Sequence, residues 1–411
     1  MDVLFRLQIL LAVVPILWIS IYVIDRKYDL ESKGLSLGIG TILWKTKRGL
    51  GLIDRLSKKL KNFWAAYGNL SAALGAILMM IFFIFVFWGV VSGLMNYFSP
   101  TGGIEYPTSI KTRPILLPGI NTPLFLGLVS FAVILIIHEG AHGVILRRLG
   151  MKTKSAGLAV FLFIIPGAFV EQDDEEFDNS APLDRMKVAG AGPVTNVIGA
   201  FLILGLIFLL VSPLSGIRIH SVESGEAAEN VGLEAGDRLI SINGVEMENI
   251  SHFQDFMQET NPHDTLTVET QRGTHNVVLS EHPTDNIGFL GVSTVEARSN
   301  LELMKSMFME PIAILAIALN VIIGGPSLFA EVAYQSLIPW SVIELMKWIF
   351  ALNILVGLFN LLPLKPLDGG HMIQAISEKI TGSKERGNIL SNAISFVSLS
   401  LIAFNFFLLY A

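Results

Sequence analysis

Long uncharged stretches alternate with short polar ones along this chain, and that alternation predicts a membrane protein. Five uncharged runs are long enough to cross a bilayer as helices: residues 7–24, 70–104, 114–137, 188–217 and 387–411. A slightly shorter run at 348–364 predicts one more crossing. The uncharged run 311–330 is broken at Gly324-Gly325-Pro326, so it fits an interfacial, re-entrant or two-pass segment equally well. We therefore expect a polytopic α-helical membrane protein with about six transmembrane helices and one re-entrant or interfacial segment.

The basic residues between these runs predict the orientation of the chain. Ten Lys or Arg residues fall within 25–62, and four follow the run 114–137, at Arg147, Arg148, Lys152 and Lys154. Basic loops stay on the cytoplasmic side, so both segments are expected there. No small-residue cleavage site follows 7–24, which favours a retained membrane helix over a signal peptide.

Two segments near the cytoplasmic side have other patterns. Residues 155–170 are too short and too interrupted by proline for a crossing, and they predict strands or a re-entrant element. Residues 44–64 are compatible with either an amphipathic interfacial helix or a solvated loop.

Between about residues 217 and 297 the pattern becomes that of a small soluble α+β domain. Short β-rich runs are separated by turns, with one helical stretch near 251–259. This segment contains fourteen Asp or Glu residues but only four Lys or Arg, counting Arg298 at its edge. Under the orientation above, this acidic domain is extracytoplasmic.

Composition narrows the chemistry that the chain can perform. Its 411 residues are 52% hydrophobic and include no cysteine, so a metal would be held by His, Asp or Glu. No basic patch with interleaved aromatic residues is present, and we therefore expect no nucleic-acid partner.

The run 114–137 ends in three ionisable residues, His138, Glu139 and His142. Positions i and i+4 share one helix face, so both imidazoles can reach one metal ion with Glu139 beside them. Zn²⁺ accepts neutral imidazole nitrogen and acidifies a bound water, for which Glu139 would be the general base. Ionisable groups inside an apolar span are costly and usually functional.

A catalytic zinc site normally has a third protein ligand. Asp368 is the best candidate, because it follows the run 348–364 at the same expected membrane depth as His138. His371 competes for this role, and without a metal Asp368-Gly369-Gly370 would be an ordinary turn. Asn196, in another span, is either a packing group or a hydrogen-bonding group that faces the site.

Two motifs in this chain resemble those of the site-2 protease family of intramembrane zinc metalloproteases. The first is His138-Glu139-Gly140-Ala141-His142, and the second runs from Asn360 through Pro363 to Asp368-Gly369. Segments 166–170 and 192–196 are also similar to family segments. Residues 222–244 resemble a PDZ domain, which many members insert between their core helices.

The resemblance implies a division of the chain into four parts. Residues 1–115 would hold the N-terminal transmembrane helices and the basic loop, 116–216 the first part of the metalloprotease core, 217–297 the PDZ-like domain and 298–411 the second part of the core.

It also implies that the protein hydrolyses peptide bonds inside the spans of single-span membrane proteins. Zn²⁺ would sit on His138, His142 and Asp368, with Glu139 catalytic and with Asn360 and Asn196 binding substrate. The PDZ-like domain would bind a peptide and filter substrates. A metal-ion transporter and a non-catalytic PDZ scaffold remain alternatives, although neither requires Glu139 beside a metal ligand.

Overall fold

The computed structural model of the chain describes residues 3–28, 34–38, 41–46, 48–98, 123–161, 165–214, 216–296, 298–309, 311–323 and 332–410. The predicted outer connection at 99–121 lies outside these residues. The described chain groups into two compact units. One holds most of the long helices, and the other, within 204–344, holds the acidic segment.

Five helices in the described part of the chain are long and apolar enough to cross a membrane. They are α3 (Lys61–Tyr97), α4 (Leu124–Arg148), α6 (Pro182–Leu210), α11 (Trp340–Asn360) and α13 (Lys384–Tyr410). Each overlaps one of the predicted spans. Large apolar side chains on them are exposed, such as Leu202 and Phe396 at 66% and 72%, as suits a helix surface that contacts lipid rather than water.

The first helix, α1 (Val3–Tyr28), contains the uncharged run 7–24. Residues 311–330 form a shorter helix, α10 (Pro311–Ile323), over their described part. Its 13 residues span about 20 Å at 1.5 Å per residue, which is less than the hydrocarbon core of a bilayer. A total of about six spans therefore stays a prediction.

A four-stranded antiparallel sheet accompanies the helices of the first unit. Its order is β1 (Leu35–Gly38), β2 (Thr41–Thr46), β3 (Thr153–Phe161), β4 (Ile165–Gln172). The strand alternative for 155–170 is thus confirmed. The sheet joins two strands from before residue 115 to two from after it, so the basic N-terminal segment contributes directly to the sheet next to the site.

The alternatives considered for residues 44–64 were both incomplete. Trp44 lies in β2, the helix α2 covers only Arg48–Lys59, and Lys61 already begins α3. The reason is tertiary: Trp44 pairs with Leu158 of β3, which a pattern read along one segment does not reveal.

Two short helices and a tightly packed corner complete the first unit. After β4 comes α5 (Asp174–Asp178), and α12 (Asp368–Thr381) lies between α11 and α13. Arg185 near the start of α6 is only 2% exposed and forms an ion pair with Glu378 of α12. This pair ties the start of α6 to the helix that begins at Asp368.

The acidic segment folds as the small α+β unit that its pattern predicts. A sheet of order β10 (Gly273–Val278), β9 (Thr265–Thr270), β7 (Leu239–Ile242), β8 (Val245–Glu246) lies beside a β6–β13 pair (Ile217–Val222 and Val292–Glu296).

The remaining elements of the second unit are short. They are α7 (Ala227–Asn230), α8 (Ile250–Gln258), α9 (Asn300–Met309), the β11–β12 pair (Ser280–Glu281 and Gly288–Phe289) and the β5–β14 pair (Val211–Pro213 and Tyr334–Ser336). Ile219, Ile242 and Val268 are fully buried in the core of the acidic segment, because alternate residues of a strand point to one face.

Candidate metal centre

The two histidines are brought together by the helix alone. α4 runs unbroken from Leu124 to Arg148, so His138 and His142 lie one turn apart on one face. Their Nε2 atoms are 3.1 Å apart, and His138 is only 3% exposed. A left-handed glycine, Gly150 with φ +85°, ends the helix, and the Met151 N–H donates to the carbonyl of Leu146 as in a Schellman turn.

Asp368 reaches the histidines from 230 residues further along the chain. Its Oδ2 lies 3.1 Å from Nε2 of His138, and its Oδ1 lies 3.4 Å from Nε2 of His142. Asp368 is the first residue of α12, where the helix dipole favours a negative charge.

Tight packing fixes the start of α12. A β-carbon at position 369 would overlap the carbonyl oxygens of Leu361 and Leu362. Only glycine therefore lets α12 begin so close to the end of α11, and this proximity sets the depth of Asp368. In the sequence, Gly369 belongs to the second motif and, without a metal, would be part of an ordinary turn.

These three side chains lie close enough together to share one zinc ion. Zinc binds nitrogen and oxygen at about 2.0–2.2 Å, so neighbouring ligands of a tetrahedral ion lie about 3.3–3.5 Å apart. Here the two Nε2 atoms lie 3.1 Å apart, Oδ2 of Asp368 lies 3.1 Å from Nε2 of His138, and Oδ1 lies 3.4 Å from Nε2 of His142. One ligand atom from each of the three residues lies within 4.8 Å of the others. Within the described residues, His138, His142 and Asp368 are the group of His, Asp and Glu side chains that could hold a metal ion. The competing candidate, His371, packs edge-on against Phe177.

The other nitrogen of His142 is held by the main chain. Nδ1 lies 2.7 Å from the carbonyl oxygen of Val188. A carbonyl can only accept, so Nδ1 carries the proton, and the lone pair of Nε2 is left for a metal.

Asn196 performs the same task for His138. Its carboxamide is fully buried and lies 3.1 Å from Nδ1 of that ring, while its second polar atom has no partner. Coordination through Nε2 requires a proton on Nδ1, so the carboxamide oxygen must face the ring as acceptor. The position of Asn196 behind the ligand supports the hydrogen-bonding alternative and a role in orienting His138. It does not place the side chain against a substrate.

Glu139 lines a cavity of about 560 Å³ together with both histidines and Asp368. Its Oε2 accepts a hydrogen bond from the N–H of Val170 in β4, at 3.1 Å. A carboxylate has a second oxygen, and Oε1 is thus left to take up a proton. Asn360 also lines the cavity.

Gly192 on α6 forms one wall of the site. A β-carbon built on it would lie 2.7 Å from Nε2 of His138 and would overlap Nε2 of His142. The absent side chain therefore leaves the space in which a metal ion and its ligands fit.

Sequence reasoning missed three groups that shape the site. The Val188 carbonyl and the Val170 N–H belong to the main chain, which carries no residue-specific signal. Gly192 lies in the segment 192–196 that is similar to a family segment, but its closeness to the histidines depends on how α6 packs against α4.

The fold and the site together define a membrane metalloprotease. A model of Peptidase family M50 matches residues 126–404. The chain therefore belongs to peptidase family M50, the site-2 protease family, and its metal cofactor is zinc. This confirms the family and the cofactor that the motifs predicted.

Similar proteins differ in how much of the chain they cover. An uncharacterised protein of Methanocaldococcus jannaschii is 26% identical and covers 92% of this chain and 88% of its own length. Zinc metalloprotease RasP of Bacillus licheniformis is 27% identical over 54% of this chain and 57% of its own. The chloroplastic membrane metalloprotease ARASP of Arabidopsis thaliana is 25% identical over 58% and 61%.

Proposed function

We propose that this chain hydrolyses peptide bonds within the membrane-spanning segments of single-span membrane proteins. The observation that carries this proposal is the meeting of His138, His142 and Asp368 beside Glu139, in one cavity. The two histidines are residues 15 and 19 of a 25-residue helix that is long enough to cross a bilayer. A polar cavity on such a helix suits hydrolysis of substrate segments that lie inside the membrane rather than of soluble peptides.

Each side chain of the site has a separate role in this reaction. His138, His142 and Asp368 would hold zinc, which lowers the pKa of a bound water and polarises a carbonyl group. Glu139, held at Oε2 by the Val170 N–H, accepts the proton of the attacking water at Oε1 and donates it to the leaving amine. Val188 and Asn196 keep the two imidazoles in the tautomer that coordinates.

The substrate must present an extended backbone, since the carbonyl groups of a helix are already hydrogen-bonded. Within the described sheet, β4 is an edge strand. The Val170 N–H points away from β3, toward Glu139, and residues two apart in a strand face the same edge. Ala168 therefore presents its N–H and carbonyl on that edge as well, and an unwound substrate can pair there by β-addition. Asn360 would bind the substrate backbone.

The orientation and the acidic unit complete the proposal. The basic segments favour a cytoplasmic position for the metal site. Residues 217–297 would then form an extracytoplasmic PDZ-like domain that binds a peptide and admits substrates whose outer part has been shortened. Its compact fold and its resemblance to PDZ sequences support this role.

Replacing one carboxylate tests the central claim. We expect Glu139→Gln in the full chain to keep one zinc ion per protein and to lose cleavage of a single-span substrate by at least about a hundredfold, as for loss of a general base. Glu175→Gln, an exposed acid of α5 outside the cavity, is the control and should cleave normally. Unchanged cleavage by Glu139→Gln would contradict the proposal. Uptake of zinc into sealed vesicles without cleavage would favour a transporter instead.

A further inference from the structure

A second polar cavity lies where three helices of the first unit meet. Its volume is about 240 Å³, and it is far smaller than the cavity of the metal site. Four basic residues line it, namely Lys58, Lys61, Arg147 and Arg148, and one acidic residue does so, Asp54. We refer to the cavity that these five residues line as the basic cavity.

The two arginines of the basic cavity are held in place. Nε of Arg147 lies 3.1 Å from a carboxylate oxygen of Asp54, and Nε of Arg148 donates to the carbonyl of Lys61 at 3.0 Å. Asp54 thus offsets one charge, and three remain. Within the described part of the chain, neither Lys58 nor Lys61 forms an ion pair with a carboxylate. The arrangement is therefore that of an anion site with two oriented guanidinium groups and two free ammonium groups.

The position of the basic cavity identifies its surroundings. Lys61 is the first residue of α3, and Arg147 and Arg148 are the last two of α4; both helices are long and apolar enough to cross a bilayer. All four cations therefore lie at the level where the hydrocarbon region ends. A phospholipid places its phosphate at this level.

The helix α2, beside the basic cavity, is built to lie on a membrane surface. Its inner face packs against α4, with Ile53 only 8% exposed and close to Gly143. Its outer apolar side chains are uncovered within the described chain, with Leu52 at 62% and Leu56 at 37% exposed. Exposed leucines next to uncompensated cations fit acyl chains and an anionic surface together, whereas free phosphate would use only the cations.

We propose that the basic cavity binds the phosphate of an anionic phospholipid headgroup, with the acyl chains lying along the exposed leucines of α2. Bound there, the lipid would join α2 and α3 to the end of α4, five residues beyond His142. One headgroup would therefore brace the helix that carries both histidine ligands.

A paired substitution of the two lysines tests this site. The variant K58Q/K61Q removes both free ammonium groups, and the matched control R55Q/K59Q removes two exposed charges of α2 that do not line the basic cavity. Native mass spectrometry of the full chain in detergent, with added phosphatidylglycerol or phosphatidylcholine, measures bound lipid. We expect K58Q/K61Q to bind phosphatidylglycerol about thirtyfold more weakly, because each basic residue near an anionic headgroup contributes about 1 kcal/mol.

Further arms of the experiment separate the outcomes. R55Q/K59Q should bind as the wild type does, and K58R/K61R, which keeps both charges, should retain binding and show that loss does not come from misfolding. Equal losses in the two glutamine variants would overturn the proposal, since they would indicate diffuse attraction. Equal binding of the two lipids would overturn it too. So would displacement of phosphatidylglycerol by inorganic phosphate at equal concentration, because the site would then recognise free phosphate rather than a lipid.

Discussion

A β-carbon built on Gly192 would lie 2.7 Å from Nε2 of His138, closer than side-chain carbons approach nitrogen in folded proteins. Gly192→Ala should therefore push the imidazoles apart and abolish zinc binding while α6 still forms. Gly199→Ala, two turns further along α6, is the matched control, because its β-carbon would meet only ordinary contacts at 3.5 and 3.6 Å. The zinc content of each purified variant, Gly192→Ala and Gly199→Ala, is the measurement. Full zinc occupancy in Gly192→Ala would show that the site lies elsewhere.

Asn196 holds His138 from behind, and its loss should weaken zinc binding without removing a ligand. We expect Asn196→Ala to lower the affinity for zinc about 10–100-fold, as is typical of groups that orient a ligating histidine. Competition with a fluorescent chelator gives the affinity. Asn353→Ala removes another buried asparagine, which bonds to the carbonyl of Ile349 in its own helix. If both variants lost the same affinity, the effect would be one of helix packing.

The open edge of β4 should matter for cleavage and not for zinc. Ala168→Pro removes an N–H that faces this edge, so a substrate paired by β-addition would lose one main-chain hydrogen bond. We expect kcat/KM to fall about tenfold, because the lost hydrogen bond contributes about 1.4 kcal/mol. The zinc content should be unchanged. Ala168→Val keeps the N–H and serves as the control. Normal cleavage by Ala168→Pro would rule out pairing at this position.

The ion pair between Arg185 and Glu378 should be costly to break from one side. Arg185 is 2% exposed, and loss of one partner of a fully buried pair destabilises a protein by about 3–5 kcal/mol. Glu378 is 21% exposed, so water can solvate part of its charge and the expected cost lies near the lower end of this range. Arg185→Met should thus lower the Tm in detergent markedly, and Arg185→Met with Glu378→Met should recover most of the loss. Lys187→Met, which breaks a more exposed pair with Asp184, should change stability by less than about 1 kcal/mol. A Tm for Arg185→Met equal to the wild type would contradict the assigned role.

Asp237 should make the acidic unit sensitive to acid. Burial raises the pKa of its carboxyl, but hydrogen bonds from Arg272 and from the Glu234 N–H outweigh burial and lower the pKa below its ordinary value. A lowered pKa stabilises the fold above the unfolded value of about 3.9, and this contribution is lost as pH falls through the folded pKa.

Hydrogen exchange of the full chain, corrected for intrinsic rates, can follow residues 217–296. We expect their protection to hold down to about pH 4 and to fall below it. Asp237→Asn should lower protection at neutral pH and flatten this dependence, while Asp255→Asn, at an exposed position, should leave it unchanged. If Asp237→Asn showed the same pH dependence of protection as the wild type, other acidic residues would be responsible for the acid sensitivity.

The sequence alone determined the parts of this protein that follow from spacing along one element. The helical repeat put His138 and His142 on one face, the uncharged runs located the membrane helices, and the alternation in 265–270 located a strand. These signals are local, because a helix or a strand fixes which of its own residues share a face. Asp368 was reached less directly, through its expected depth and a family resemblance.

The tertiary structure decided which separate elements touch. The pairing of β2 with β3, the carbonyl of Val188 at His142, the carboxamide of Asn196 at His138 and the closeness of Gly192 all join segments at least 46 residues apart. Main-chain groups look alike at every position, and a glycine is only an absent side chain, so neither reveals its partner in a sequence. Packing between helices supplies that information, and with it the orientation of the ligands on which zinc binding depends.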